Sequence, residues 1–155
     1  MVGSDLYTPL LFNEAARGCD QEMDEMNDPV RSYLADCNYA DHVIAGGLPW
    51  LVKAWEGVVD EIVRGDSQNE PEYLNDMDGR RILAEVLAIL PPEERNLWEP
   101  RVQSADARIR SVLIPTAHCL RGRKNEQRNG YQRERDWWYY HRPPNGDPDW
   151  SWGEE

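Results

Sequence analysis

The side chains best spaced for chemistry in this chain are carboxylates. Glu22 and Glu25 stand three residues apart, and Glu56 and Asp60 stand four apart. On a helix either spacing aims both groups the same way. Two carboxylates so placed suit a hard cation such as magnesium and, through it, metal-assisted hydrolysis. Two observations weigh against that chemistry. Glu22 and Glu25 belong to an acidic run, Asp20 to Asp28, that has no apolar period, and Glu56 and Asp60 fall on the watery side of the helix that carries them.

Sulfur and imidazole offer less. Cys37 and His42 lie five apart, and His118 is adjacent to Cys119. These are zinc-ligand types, but no C-x-x-C accompanies them and neighbouring residues on a regular element point apart. Cys37 also falls on an apolar stripe, so the spacing predicts buried thiols and surface histidines. A thiolate and its base meet in space rather than in sequence, which removes His118 and Cys119 as a nucleophilic pair. There is no G-x-S-x-G, no G-x-x-x-x-G-K and no G-x-G-x-x-G. No catalytic residue and no cofactor is predicted.

Charge is the stronger signal. The 155 residues carry a formal net charge of −12. Met1 to Leu120 holds 22 acidic and 10 basic residues, whereas Arg121 to Glu155 holds 7 of each. Within the latter, Arg121 to Arg135 is basic, with 6 positive and 2 negative side chains, and four of the seven tryptophans follow it. A field of this sign repels phosphate, so nucleic acid is excluded as a general partner, and it attracts cations. No run reaches the roughly 20 apolar residues that span a bilayer. The start, MVGSDLYTPLLF, has no basic stretch ahead of an apolar one, and the three cysteines are odd in number and scattered. These features predict a cytoplasmic protein with free thiols.

Helical elements must position these groups. In Pro49 to Gly65, Trp50, Leu51, Ala54, Trp55, Val58, Val59, Ile62 and Val63 draw one stripe at a period of 3.6. Pro49 suits its first turn and Gly65 its end. Asp28 and Pro29 open an earlier helix that Gly46 and Gly47 close, with Val30, Leu34, Cys37 and Ile44 on its buried side; the pair is predicted to form an antiparallel hairpin. Thr8 and Pro9 begin a further, weaker pattern. Asp66 to Gly79 reads as a polar loop in which Asn69 caps a short helical turn. Ile82, Leu83, Val86, Leu87 and Leu90 then mark a helix stopped by Pro91 and Pro92. The last stripe, Val102 to Leu113, is kinked or restarted at Pro100 and ends at Pro115.

Beyond Thr116 the period is lost. DWWYY reads as a short strand, and the prolines from Pro143 to Pro148 forbid a ladder. Exposed together, Trp137, Trp138, Trp150 and Trp152 would form a patch that monomers avoid. The tail is therefore predicted to fold back on the helices, with Trp150 and Trp152 the rings best placed to reach a partner.

The predicted fold class is mainly α. It is a single-domain bundle of about five helices with an irregular aromatic C-terminal segment and room for one short strand or hairpin. Residues 1–120 form an acidic helical body, and residues 121–155 form a basic and then aromatic segment packed on it. The function that charge and motif content favour is a small acidic protein-binding module. Its most specific form is a cytoplasmic inhibitor of the immunity or antitoxin kind that covers a basic toxin or nuclease. The predicted contact residues are Asp20, Glu22, Asp24, Glu25, Asp66, Glu70, Glu72, Asp76, Asp78, Trp150 and Trp152. The alternatives are a small all-α magnesium-dependent hydrolase resembling the nucleotide pyrophosphohydrolases, using Glu56 and Asp60, and a helical regulatory module in which charge plays no role.

Overall fold

A computed structural model describes residues 28–152. The element order is α1 (Pro29–Asp36), α2 (Asp41–Arg64), α3 (Glu70–Ile89), α4 (Pro92–Arg110), β1 (Ile114–Pro115), α5 (Arg123–Asn129), a 3-10 turn (Trp137–Tyr139) and β2 (His141–Arg142). The fold is mainly helical, with one two-stranded antiparallel sheet that pairs Ile114 with Arg142 and Pro115 with His141. No helix among the described residues is long and apolar enough to cross a membrane. The expected helix at Thr8 and the predicted contacts Asp20, Glu22, Asp24 and Glu25 lie outside the described residues.

The chain divides into two compact units, residues 1–45 and Gly46–Glu155. In the first, Asp28 caps α1 as expected, accepting from the Val30 and Arg31 amides at 2.9 and 3.4 Å. The helix then stops early. Asn38 takes a positive φ of 62° and turns the chain, which a short amide side chain tolerates. Cys37 becomes the cap residue and is exposed, contrary to its predicted place on a buried stripe. The next helical piece starts at Asp41 and meets the Pro49 segment at Gly47, whose φ of 62° and ψ of −152° break the helical path. A side chain is strained there, and Pro49 restarts the helix without needing its missing amide donor.

In the second unit α2 buries Leu48, Leu51, Val52, Trp55, Val59 and Ile62. The predicted stripe is thus rotated. Its other edge, Trp50, Ala54 and Val58, lies one turn apart on the outer side. Gly65 ends the helix with φ 96° as predicted. The expected loop from Asp66 to Gly79 is instead mostly helix. Asn69 caps α3 by accepting from the Glu72 amide at 3.0 Å, and the helix then runs unbroken to Ile89. Tyr73, Met77, Arg80, Leu83, Val86 and Leu87 carry its buried face. The acidic residues hid this period, because only three apolar side chains precede Gly79. Proline 100 lies inside a continuous α4, whose Val102, Ala105 and Ile109 are buried.

The aromatic segment seals this unit. Trp137, Trp138, Tyr139 and Tyr140 are all buried, but as a 3-10 turn rather than the predicted strand. The turn spans Trp137–Tyr139 with Tyr140 as its cap, and all four rings lie in the interior. Arginines lie against the rings. Arg80 sits 4.7 Å from the Trp138 ring centre, Arg110 4.6 Å from that of Trp137, and Arg133 4.8 Å from that of Tyr140. The chain end is tied down by main-chain bonds from Gln68 to Asn145 and from Asp147 to Gln68 at 3.1 and 3.0 Å. Trp152 closes the clasp, buried edge-on against Tyr73 at 5.7 Å and donating to the Asp147 carbonyl at 2.5 Å.

Candidate functional site

Many carboxylates of the second unit are engaged by neighbouring side chains. Glu56 takes both arms of the Arg101 guanidinium at 2.8 Å, and Asp60 takes Arg108 at 2.7 Å. The hydrogen bond from Arg101 holds the Glu56 carboxyl below its ordinary value. The two groups proposed as a magnesium pair therefore tie α2 to α4. Among the described residues no three His, Cys, Asp or Glu side chains gather in a way that could hold a metal ion.

The predicted contact residues divide into engaged and open ones. Asp66 pairs with Arg64 at 2.7 Å, and that hydrogen bond lowers its pKa. Glu70 is buried in the first turn of α3. Asp78 accepts from the Tyr139 hydroxyl at 2.5 Å and from Arg121, so it binds the aromatic turn and the basic segment to α3. Two further arginines of the basic segment find local partners. Arg133 donates to the Thr116 and Ala117 carbonyls at 3.0 Å, and Arg135 pairs with Asp136 at 2.8 Å. Trp152 is core. Trp150 remains 41% exposed, with its indole N–H on Asp147 at 3.0 Å.

Glu72 and Asp76 are different. They lie one turn apart on α3, and Glu61 on the last turns of α2 acts on Asp76 together with Glu72. Asp76 forms no hydrogen bond or ion pair among the described residues. Burial, reinforced by the charges of Glu61 and Glu72, pushes its carboxyl from 3.8 to about 6. A negative charge has been placed where solvent is reduced and no cation among the described residues pairs with it, an arrangement that costs stability and is enriched at functional positions.

Asp76 opens onto a crevice of about 130 Å³ between α2 and α3. Trp50, Leu51, Ala54, Trp55 and Val58 form one wall, and Asn75, Asp76 and Gly79 the other. Trp50 is 40% exposed, whereas Trp55 is buried and fixed by an indole N–H bond to Asp106 at 3.0 Å. A side chain at Gly79 would meet nothing within 4 Å, so the helix leaves this space open. The predicted stripe already contained Trp50, Ala54 and Val58. What it lacked was the neighbouring helix, since Asp76 had been placed in a loop.

A second cavity, of about 350 Å³, is lined by His118, Cys119, Leu120, Gly122, Arg123, Glu126 and Ser151. Its thiol is buried, and burial raises the pKa of Cys119, which opposes thiolate chemistry. Glu126 accepts from the Tyr140 hydroxyl at 2.6 Å. Family models, curated proteins and solved structures give no match to the chain.

Proposed function

We propose that this chain is a small protein-binding module whose partner is a basic protein. The observation that carries the reading is the part-buried Asp76, acted on by the negative charges of Glu61 and Glu72 and without an ion pair among the described residues, beside an exposed tryptophan. Several arginines of the second unit pair with carboxylates, whereas Asp76 feels the negative charges of Glu61 and Glu72 and has no ion pair among the described residues. Folding alone gives no reason to keep that repulsion. A cationic surface would relieve it, and would be drawn in faster by the net charge of −12. Residues 1–45 add nine acidic side chains against two basic ones. Trp150 and Trp50 supply the apolar contact that interface hot spots favour. Inhibition of a basic toxin or nuclease in the cytoplasm, in the manner of immunity proteins and antitoxins, is the specific form that such a surface suits.

Retrieval from the native cell extract at low salt tests this. The expected partner has a basic isoelectric point, elutes with salt, and is lost when Glu61, Glu72 and Asp76 are together changed to the neutral amides. Recovery of neutral or acidic partners, or retention by the neutralised variant, would overturn the reading.

A further inference from the structure

We infer that Asn145 is a site of spontaneous deamidation, and that the reaction opens the clasp holding the end of the chain. The pair Asn-Gly occurs twice, at Asn129–Gly130 and at Asn145–Gly146. A glycine carries no Cβ to crowd its own nitrogen, so that nitrogen can attack the side-chain amide carbon of the asparagine before it. At Asn145 the Gly146 main-chain nitrogen gives up its proton and bonds to Cγ, and the side-chain amide leaves as ammonia. Water then opens the five-membered imide at one carbonyl or the other. One route leaves aspartate. The other leaves isoaspartate, with the main chain rerouted through the side chain. Water is the sole co-reactant, and nothing is oxidised or reduced.

The fold treats the two pairs differently. Gly130 is held on both sides: its N–H caps α5 by donating to the Glu126 carbonyl, and its own carbonyl accepts from Arg135 at 2.6 Å. Attack at Asn129 requires the helix end to open first. Gly146 makes no hydrogen bond of its own through N–H or C=O among the described residues. It lies between the two bonds of its neighbours, in which Gln68 donates to the Asn145 carbonyl and Asp147 donates to the Gln68 carbonyl. Asn145 is exposed, and its side chain is held by one exposed bond, from Nδ2 to the Gly65 carbonyl at 2.7 Å.

Either product damages the clasp. Aspartate sets a carboxylate, which only accepts, against the Gly65 carbonyl that Nδ2 had served. Isoaspartate also adds a methylene to the main chain between the two bonds to Gln68, so both cannot keep their register. Gln68 is buried, and unpairing its main-chain groups is costly. Trp152 follows, because its ring lies against Gly146 and its indole N–H donates to the Asp147 carbonyl. The reaction does not reverse, so the closed clasp has a chemical lifetime set at Asn145.

The test is to age the full chain at pH 8 and sample it over days. Peptide mass analysis reads each Asn-Gly pair, and thermal melts with the Trp152 indole resonance read the clasp. Asn145 should gain acid about tenfold or more faster than Asn129, because even one hydrogen bond that must first break adds to the barrier. The converted fraction should melt lower by about 3 °C or more, with its Trp152 signal displaced. Asn145→Gln, whose longer side chain closes a ring less readily, should show no change on ageing in either reading. Conversion of Asn129 as fast as Asn145, absence of acid at Asn145, or converted protein with the melt and the Trp152 signal of fresh protein would overturn the inference.

Discussion

Replacing Asp76 by Asn should make the protein more stable and less able to bind. The carboxyl rises from 3.8 to about 6 on folding. The folded state therefore holds this proton more tightly than the unfolded one. The stabilisation linked to that proton is fully present below about pH 4 and is lost as pH rises through about 6. Near pH 7.5 the folded protein carries the whole penalty of the charge. Two pH units correspond to about 3 kcal/mol as a ceiling. Asp76 is only partly buried, and solvent screening reduces this to about 1 kcal/mol. Asparagine keeps the shape and removes the charge. Urea unfolding of both proteins from pH 4 to pH 8 should show Asp76→Asn ahead by about 1 kcal/mol at pH 7.5, with the difference shrinking to near zero at pH 4. Comparing the two proteins cancels the titration of every other group they share. A variant that is less stable at pH 7.5, or a difference that does not change with pH, would refute the account of Asp76.

Other consequences follow from the packing. Arg80 is 8% exposed and its pairing with Asp106 lies between indoles, so Asp106→Ala should cost about 3–5 kcal/mol by stranding a buried cation, whereas the joint change Arg80→Met with Asp106→Leu should cost much less; chemical denaturation of the four-protein cycle measures both. Trp152→Ala should cost about 3–5 kcal/mol, because it opens the clasp against Tyr73, and Trp150→Ala should stay within about 0.5 kcal/mol, as read by thermal melts. Of the two described cysteines, Cys37 is exposed and Cys119 is buried with its pKa raised by burial. A thiol reagent followed by peptide mass analysis should label Cys37 quickly, and Cys119 only on unfolding.

Much of the helical layout was legible because its signals are local. Asp28, Pro29, Asn69 and Gly65 act on the nearest turn of backbone, and each does so where the sequence places it. Two kinds of information were not local. Whether Cys37 is covered depends on where Asn38 turns the chain. The strand expected at Trp137 to Tyr140 failed because burying four successive rings is a tertiary demand that overrides the β preference of aromatic residues. The site suffered in the same way. Asp76 and Asp78 look alike two residues apart, yet Asp78 meets Arg121 and Tyr139 and Asp76 has no ion pair among the described residues. Only the packing of α2 on one side of α3 and the aromatic turn on the other distinguishes them. Trp150 and Trp152 likewise differ only through the pocket that Gly146 and Tyr73 make for one of them. Gly146 leaves that room because a Cβ there would come within 2.8 Å of the Trp152 ring.

The most direct measurement is the association rate of the partner recovered from the cell, followed by stopped-flow as salt is raised. If the acidic cluster steers a cationic partner, the rate should fall about ten- to a hundredfold between 20 mM and 500 mM salt. Changing Glu61, Glu72 and Asp76 to their amides should then flatten that dependence. A rate indifferent to salt, or a slope unaltered by removing the three charges, would contradict the account.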